Sequence, residues 1–327
     1  MEKFKKSIKK SYFYVNKLYI FITFVLLVSI DFSLGFYYFL LSVFMFCLRI
    51  LNAHIPIMPK KPIYYVTYTY KQTGRRHLKM DIWYPQNFGE TKYPLVFFCH
   101  GGGWISGFRN QKNNVSWCKY LASNGLCVSS IDYRYGLKSS MNDILFDYTD
   151  ALDFIKYNSE KLKVDKEKIV LMGLSAGGHL SLLYSAYNSY RKDKEKMEGI
   201  KGVVAYYSPS DLKDIFTPEN KSLFARFSTK KTLKVDPKSK NEILDSYSPI
   251  NWVSSNMIPC FLAHGKEDDT VPYSSSQKFY DKLKENGINC YFLTHDKGGH
   301  SFDSTFKDDQ TVYILNETLN FIKSLFL

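Results

Sequence analysis

Apolar positions along the chain fall into two regimes. From Leu18 to Ile50 they form one almost wholly apolar run, interrupted by Asp31, Ser33 and Gly35 and ended by Arg49. From Ile63 onward the apolar runs are short and alternate with helical patterns. "IYYVTYTY" and "HLKMDIWYP" predict two paired strands joined by a turn at "KQTGRR". The further runs "PLVFFCH", "LCVSSIDYR", "IVLMGLS", "GVVAYYS", "IPCFLAHG" and "CYFLTHD" predict six more strands. Several are almost continuously apolar, the signature of strands covered on both faces. Helix-like stretches such as Met141–Asn158 and Tyr273–Asn286 separate them, and Gly125 and Gly287 stand where helix C-caps belong. This alternation predicts an α/β fold with a mainly parallel sheet.

The N-terminal run predicts a membrane anchor, because about 20 apolar residues span a bilayer. It is too long for a cleaved signal peptide, and no A-x-A-like site follows it. Split at "IDFSLG", Ile30 to Gly35, it predicts a hairpin of two short spans with Asp31 and Gly35 at the turn. The net charge is +13, with Lys3, Lys5, Lys6, Lys9, Lys10 and Lys17 ahead of the run and Arg49, Lys60 and Lys61 behind it. Basic residues on both flanks favour a hairpin with both ends in the cytoplasm, and a single signal-anchor span that exports the α/β domain is the alternative. Because the lysine cluster abuts the apolar run, membrane lipid rather than nucleic acid is the expected partner. The proline-rich "NAHIPIMPKKP" predicts a linker. The expected organisation is a basic tail (1–17), the anchor (18–50), the linker (51–62) and an α/β domain (63–327). Within that domain, Pro209 to Ser254 breaks the strand–helix rhythm and predicts a cap, whose Phe216, Phe224 and Phe227 are candidates to shape a pocket. The six cysteines contain no CxxC pair, and Cys99 and Cys260 fall in apolar strands as buried thiols. That pattern suits a reducing compartment.

Two motifs carry chemistry. "GLSAG", Gly173 to Gly177, ends a strand and opens a helix. A serine at such a turn is lifted clear of the sheet, but it needs a base and oxyanion donors before it is a useful nucleophile. "HGGGW", His100 to Trp104, follows another strand, and its glycines expose backbone N–H groups able to face a negatively charged oxygen. The sequence holds no HExxH, P-loop or dinucleotide fingerprint, and no cofactor is implied.

In order, HGGGW, DYR, GLSAGGH, HGKEDDTVP and GGHSF resemble the α/β-hydrolase superfamily, in its HGGG-type carboxylesterase and lipase branch. Within that branch the chain is similar to BD-FAE-like and hormone-sensitive-lipase-like esterases, from about Tyr64 to the C-terminus. The resemblance implies an eight-stranded, mostly parallel sheet and a triad in the order Ser, Asp, His. It makes Ser175 the nucleophile and His300 the base, and it assigns the oxyanion donors to Gly102, Gly103 and Ala176. Glu267, Asp268 and Asp269 all lie in the loop where the acid belongs; the family pattern H-G-x-x-D-x-x-V-P selects Asp268, with Asp269 as the alternative. His100 is expected to fix its loop, and Asp132 and Arg134 to fasten theirs. His54, His77, His179, His264 and His295 are discounted as bases.

The expected protein is a membrane-anchored serine hydrolase acting on small-molecule carboxylic esters. The same triad would serve an arylformamidase or another amide hydrolase, and a hydrolase-fold interaction module is the non-enzymatic alternative.

Overall fold

The computed structural model describes residues 36–37, 40–41 and 53–327, apart from 60, 62, 75, 87, 90 and 235–240. The chain divides into two compact units, Met1–Ala53 and His54–Leu327. In the first unit Phe36, Tyr37, Leu40 and Leu41 are helical and exposed. The basic tail and the proposed hairpin turn lie outside the described residues, as does most of the anchor. Among the described residues no helix is long and apolar enough to cross a membrane.

The second unit is built on one eight-stranded sheet in the order β1-β2-β4-β3-β5-β6-β7-β8. The strands are β1 (Tyr65–Thr73), β2 (Arg76–Trp83), β3 (Tyr93–Cys99), β4 (Cys127–Ile131), β5 (Val164–Leu174), β6 (Ile200–Tyr206), β7 (Cys260–Gly265) and β8 (Cys290–His295). β2 runs antiparallel to β1 and β4, and every other pairing is parallel. Parallel neighbours need crossover connections, and helices supply them on both faces. Leu95, Phe97, Cys99, Ile169 and Leu171 point into the core on one face, with Tyr148 and Leu152 of helix α2 (Met141–Tyr157), Leu180 of α3 (Ala176–Tyr190) and Phe279 of α5 (Tyr273–Glu285). Val96, Phe98, Val170 and Met172 face the opposite core, with Trp117 and Leu121 of α1 (Lys112–Ser123) and Ile314 and Ile322 of α7 (Asp309–Ser324). This two-sided burial explains why the central strands read as unbroken apolar runs.

Local chemistry sets the helix ends. Ser140 caps α2 in a full capping box with Asp143. Gly125 (φ 93°) and Gly287 (φ 71°) take left-handed conformations just beyond α1 and α5, as their positions predicted.

Two boundaries differ from the expected ones. β5 begins at Val164, five residues before Ile169, because Val164 pairs with Tyr93 while the polar stretch Asp165–Lys168 hides the strand from an apolar pattern. The segment read as a linker is partly core: Ile55 is fully buried, and its N–H donates to Ser116 Oγ of α1 at 3.0 Å. An isoleucine just before Pro56 satisfies its backbone on α1, so the compact unit starts at His54 rather than residue 63.

Between β6 and β7 the insertion folds as two 3-10 turns, Leu212–Phe216 and Pro249–Trp252, around helix α4 (Leu223–Leu233) and a short helix at Asn241–Ser246. The buried face of α4 is Ala225, Ser228, Thr229 and Thr232, and Ser222 caps its N-terminus through the Ala225 N–H.

Candidate active site

All the sequence-selected site residues lie in loops that leave the carboxyl ends of parallel strands, where open α/β sheets place their ligands. β5 ends at Leu174 and α3 starts at Ala176, so a single residue turns the chain from strand to helix. That residue, Ser175, has φ 51° and ψ −117°. Such a backbone costs on the order of 1–3 kcal/mol in a non-glycine residue. The Ser175 N–H donates to Tyr206 O at 2.8 Å, which ties the turn to β6. The glycines of the motif are steric necessities: a Cβ at Gly177 would lie 2.1 Å from Cys99 O.

His300, from the loop after β8, reaches the serine. Its Nε2 lies 3.0 Å from Ser175 Oγ, and its Nδ1 lies 2.8 Å from Asp268 Oδ2. The Asp268 carboxylate is wholly buried. Its Oδ1 accepts from the N–H groups of Thr270 (2.8 Å) and Val271 (2.9 Å), which closes the loop after β7 around it. Burial alone would push the Asp268 carboxyl up. The neighbouring imidazoles of His300 and His264 outweigh burial and hold it well below the usual carboxylate range. For His300 the balance runs the other way: burial disfavours the imidazolium, but Asp268, with Asp303 and Asp269 farther off, raises its pKa above the ordinary histidine value. A carboxylate that stays ionised beside a strengthened base is the electrostatic arrangement that proton transfer from Ser175 needs. Asp269 is exposed and accepts from Thr270 Oγ1 at 3.2 Å, with no bond to His300 among the described contacts.

Sequence reasoning passed over His264. Its Nε2 faces both Asp268 Oδ2 and Val271 O at 3.1 Å, so that nitrogen carries the proton, and Nδ1 accepts from Ser276 Oγ at 2.7 Å. It is therefore a second imidazole donor to Asp268, four residues before it in the chain. The signal was present in the H-G-x-x-D pattern, where the histidine precedes the acid at fixed spacing.

The glycine-rich loop after β3 approaches the serine from the other side. Gly102 (φ 115°) accepts at its carbonyl from the N–H groups of Ile105 and Ser106. Gly103 (φ 59°) lines the cleft together with Ser175 and Ala176, whereas Gly102 forms the bend behind it. A Cβ at Gly103 would come within 2.9 Å of Phe224 and Ser228, so glycine is what lets α4 close over the loop. Ala176 opens α3, where the helix supplies no acceptor for its N–H. The cleft is small and is completed by Trp104, Pro209, Ile215, Phe224, Ala225, Thr229 and Val271, among others. Of the three cap phenylalanines, Phe224 lines it; Phe216 packs against the core, and Phe227, as exposed as Phe224, does not line the cleft.

Other histidines and acids support the frame. His100 stacks on Tyr133 (centroids 4.2 Å apart), bonds Gly101 O through Nδ1, and is pulled down to about 4 by burial, so it stays neutral as a loop fastener. His179 contacts Tyr247 O and the Trp104 ring, and His295 binds Asp308. Asp132 accepts from the Arg109 N–H and guanidinium, and Arg134 pairs with Asp143 and Asp147 to tie the loop after β4 to α2.

Comparison with known proteins agrees with this geometry. A family model described as BD-FAE matches residues 80–283, more than half of the chain. The chain is 27% identical over 230 residues to the esterase LipC of Mycobacterium tuberculosis, covering 68% of this chain and 57% of that protein. It is 26% identical over 234 residues to a probable isoprenylcysteine alpha-carbonyl methylesterase of Oryza sativa subsp. japonica, covering 68% and 54%. The match therefore spans little more than half the length of these curated relatives. Among solved structures, a truncated carbohydrate esterase from gut microbiota superposes with a TM-score of 0.70 at 21% identity, covering 82% of this chain and 99% of that one. Esterase B from Lactobacillus rhamnosis gives a TM-score of 0.71 at 19% identity, covering 93% and 96%. These structural likenesses establish the α/β-hydrolase fold, and the family match places the chain in the BD-FAE family.

Proposed function

We propose that the chain is a carboxylic-ester hydrolase in which Ser175 is the nucleophile, His300 the general base and Asp268 the orienting acid. The observation that carries this reading is the continuous hydrogen-bonded path from Ser175 Oγ through His300 to Asp268. The names of the curated relatives support an ester substrate over an amide. In the first half-reaction Ser175 Oγ attacks the acyl carbonyl while His300 Nε2 takes its proton. Asp268 holds Nδ1 and stabilises the imidazolium. The Gly103 and Ala176 N–H groups, with Gly102 shaping the loop, receive the oxyanion; one such donor is worth about 3 kcal/mol. His300 then protonates the leaving alcohol, and water repeats the cycle on the acyl-enzyme. The cap supplies the substrate's surroundings through α4. We also propose that residues 18–50 keep the enzyme at a membrane as a hairpin with the α/β domain in the cytoplasm, a reading supported by the apolar length and the basic flanks.

Ser175→Ala abolishes ester hydrolysis and fluorophosphonate labelling while circular dichroism is unchanged; covalent labelling of that variant would sink the nucleophile assignment. Asp268→Asn lowers kcat by about 10³- to 10⁴-fold, and Asp269→Asn leaves it nearly unchanged. The base must be neutral, so wild-type kcat/KM rises with pH through a His300 midpoint above the ordinary histidine value. Removing the Asp268 charge favours the imidazolium less, and the residual activity of Asp268→Asn rises at lower pH. An acid limb that moves to higher pH contradicts the electrostatic account. In a series of p-nitrophenyl esters, Phe224→Ala shifts the preferred acyl chain to longer lengths and Phe227→Ala does not; identical profiles for both would remove Phe224 from the pocket. Protease added to intact cells leaves the α/β domain whole until lysis, and digestion from outside refutes the hairpin.

A further inference from the structure

The loop that carries His300 is flanked by glycines and followed by a single helical turn. Gly298 and Gly299 precede the histidine, and Ser301 after it takes φ 62° before the single-turn helix α6 (Phe302–Thr305). A base that must meet Ser175 and Asp268 at once needs restraint from outside the loop. Asp303, in α6, is fully buried and has no part in the proton path. Its Oδ1 accepts from Tyr207 OH at 2.8 Å, and its Oδ2 accepts from Trp117 Nε1 at 2.8 Å and from Asn113 Nδ2 at 3.4 Å. All three donors are neutral, and burial pushes the carboxyl pKa up against them. Burying a carboxylate on neutral donors alone is an expensive way to attach a short helix.

Tyr207 shows what the attachment does. It follows β6 with a strained φ of 38°, and its N–H donates to Ala263 O of β7 at 2.7 Å, so its backbone belongs to the sheet edge. Its ring lies 4.7 Å from the His300 ring, tilted 62° to it in an edge contact. Burial, with Asp303 beside it, keeps the phenol pKa well above its ordinary value, so the hydroxyl remains a donor. The imidazole is thus gripped twice. Asp268 holds Nδ1, and the Tyr207 ring, tethered by Asp303, packs against the imidazole.

We propose that Asp303 is a positioning residue for His300 that acts through Tyr207, its carboxylate locking the tyrosine ring against the imidazole. The inference rests on the reading of Ser175 and His300 as nucleophile and base.

The test uses the full-length chain with p-nitrophenyl acetate and a fluorophosphonate probe, comparing Asp303→Asn, Tyr207→Phe and the double variant. Tyr207→Phe removes one oxygen and keeps the ring, so it isolates the tether. Each single variant is expected to lose about ten- to a hundredfold in kcat with KM nearly unchanged, and to slow probe labelling in proportion. The downfield imidazole proton of the His300–Asp268 bond broadens in each. The double variant loses no more than the worse single one, because both break one linkage. A lower melting temperature with unchanged kcat in Tyr207→Phe overturns the proposal and leaves Asp303 a structural anchor. Multiplying losses in the double variant overturn it too, since the residues then act separately. If Asp303→Asn does not fold, Tyr207→Phe alone decides through kcat and the imidazole proton. Failure of the underlying reading is distinct: the wild-type chain would then not label at Ser175 at all.

Discussion

The site depends on one buried carboxylate. Asp268 is closed off from water and accepts from two backbone N–H groups and two imidazoles. An ionised carboxylate in such surroundings is tolerable only when its lone pairs are met by well-placed donors. Meeting them dictates the course of the loop after β7, the tautomer of His264 and the direction of the His300 ring. The charge that costs desolvation is also the charge that raises the His300 pKa, so the same interaction holds the loop together and tunes the base.

The strained turn at Ser175 is the other half of the constraint. A left-handed serine persists because the sheet and helix on either side over-determine it: the strand is buried on both faces, the Ser175 N–H is held by β6, and a glycine lets α3 pass against the end of β3. The rigid two-faced core thereby sets the position of a single oxygen. His300, in contrast, hangs on a glycine-flanked loop, and its placement is shared among Asp268, the Tyr207 ring and the buried Asp303 behind it. Ser175 and His300 are held by different means, one by backbone strain in a packed element and the other by side-chain contacts around a glycine-flanked loop.

The cap illustrates how close packing divides neighbouring residues into different roles. Phe224 and Phe227 are three residues apart on α4 and both are exposed, yet only Phe224 lines the cleft. Ala225, Ser228 and Thr229 are small, and glycine at 103 lets the helix sit directly on the loop beside Ser175. The shape of the cleft is therefore set in part by a helix whose seating depends on the missing side chain at Gly103 in a different loop.

By itself, the amino-acid sequence determined the strand–helix alternation, the two-faced burial of the central strands, the turn chemistry at Gly173–Gly177 and Gly101–Gly103, and the left-handed glycines after α1 and α5. Each is a local consequence of apolar period or of backbone freedom at glycine, so each is legible without knowing what lies across the sheet. Tertiary structure decided what depends on long-range contact. It distinguished Asp268 from Asp269, because only one carboxylate is turned inward to His300. It brought the buried Asp303 behind the site, since nothing in its immediate sequence reveals its partners Trp117 and Tyr207 on other elements. It also moved Ile55 from an expected linker into the core, because an isoleucine in a proline-broken stretch belongs to no strand or helix period and is recognised as buried only once α1 is packed against it.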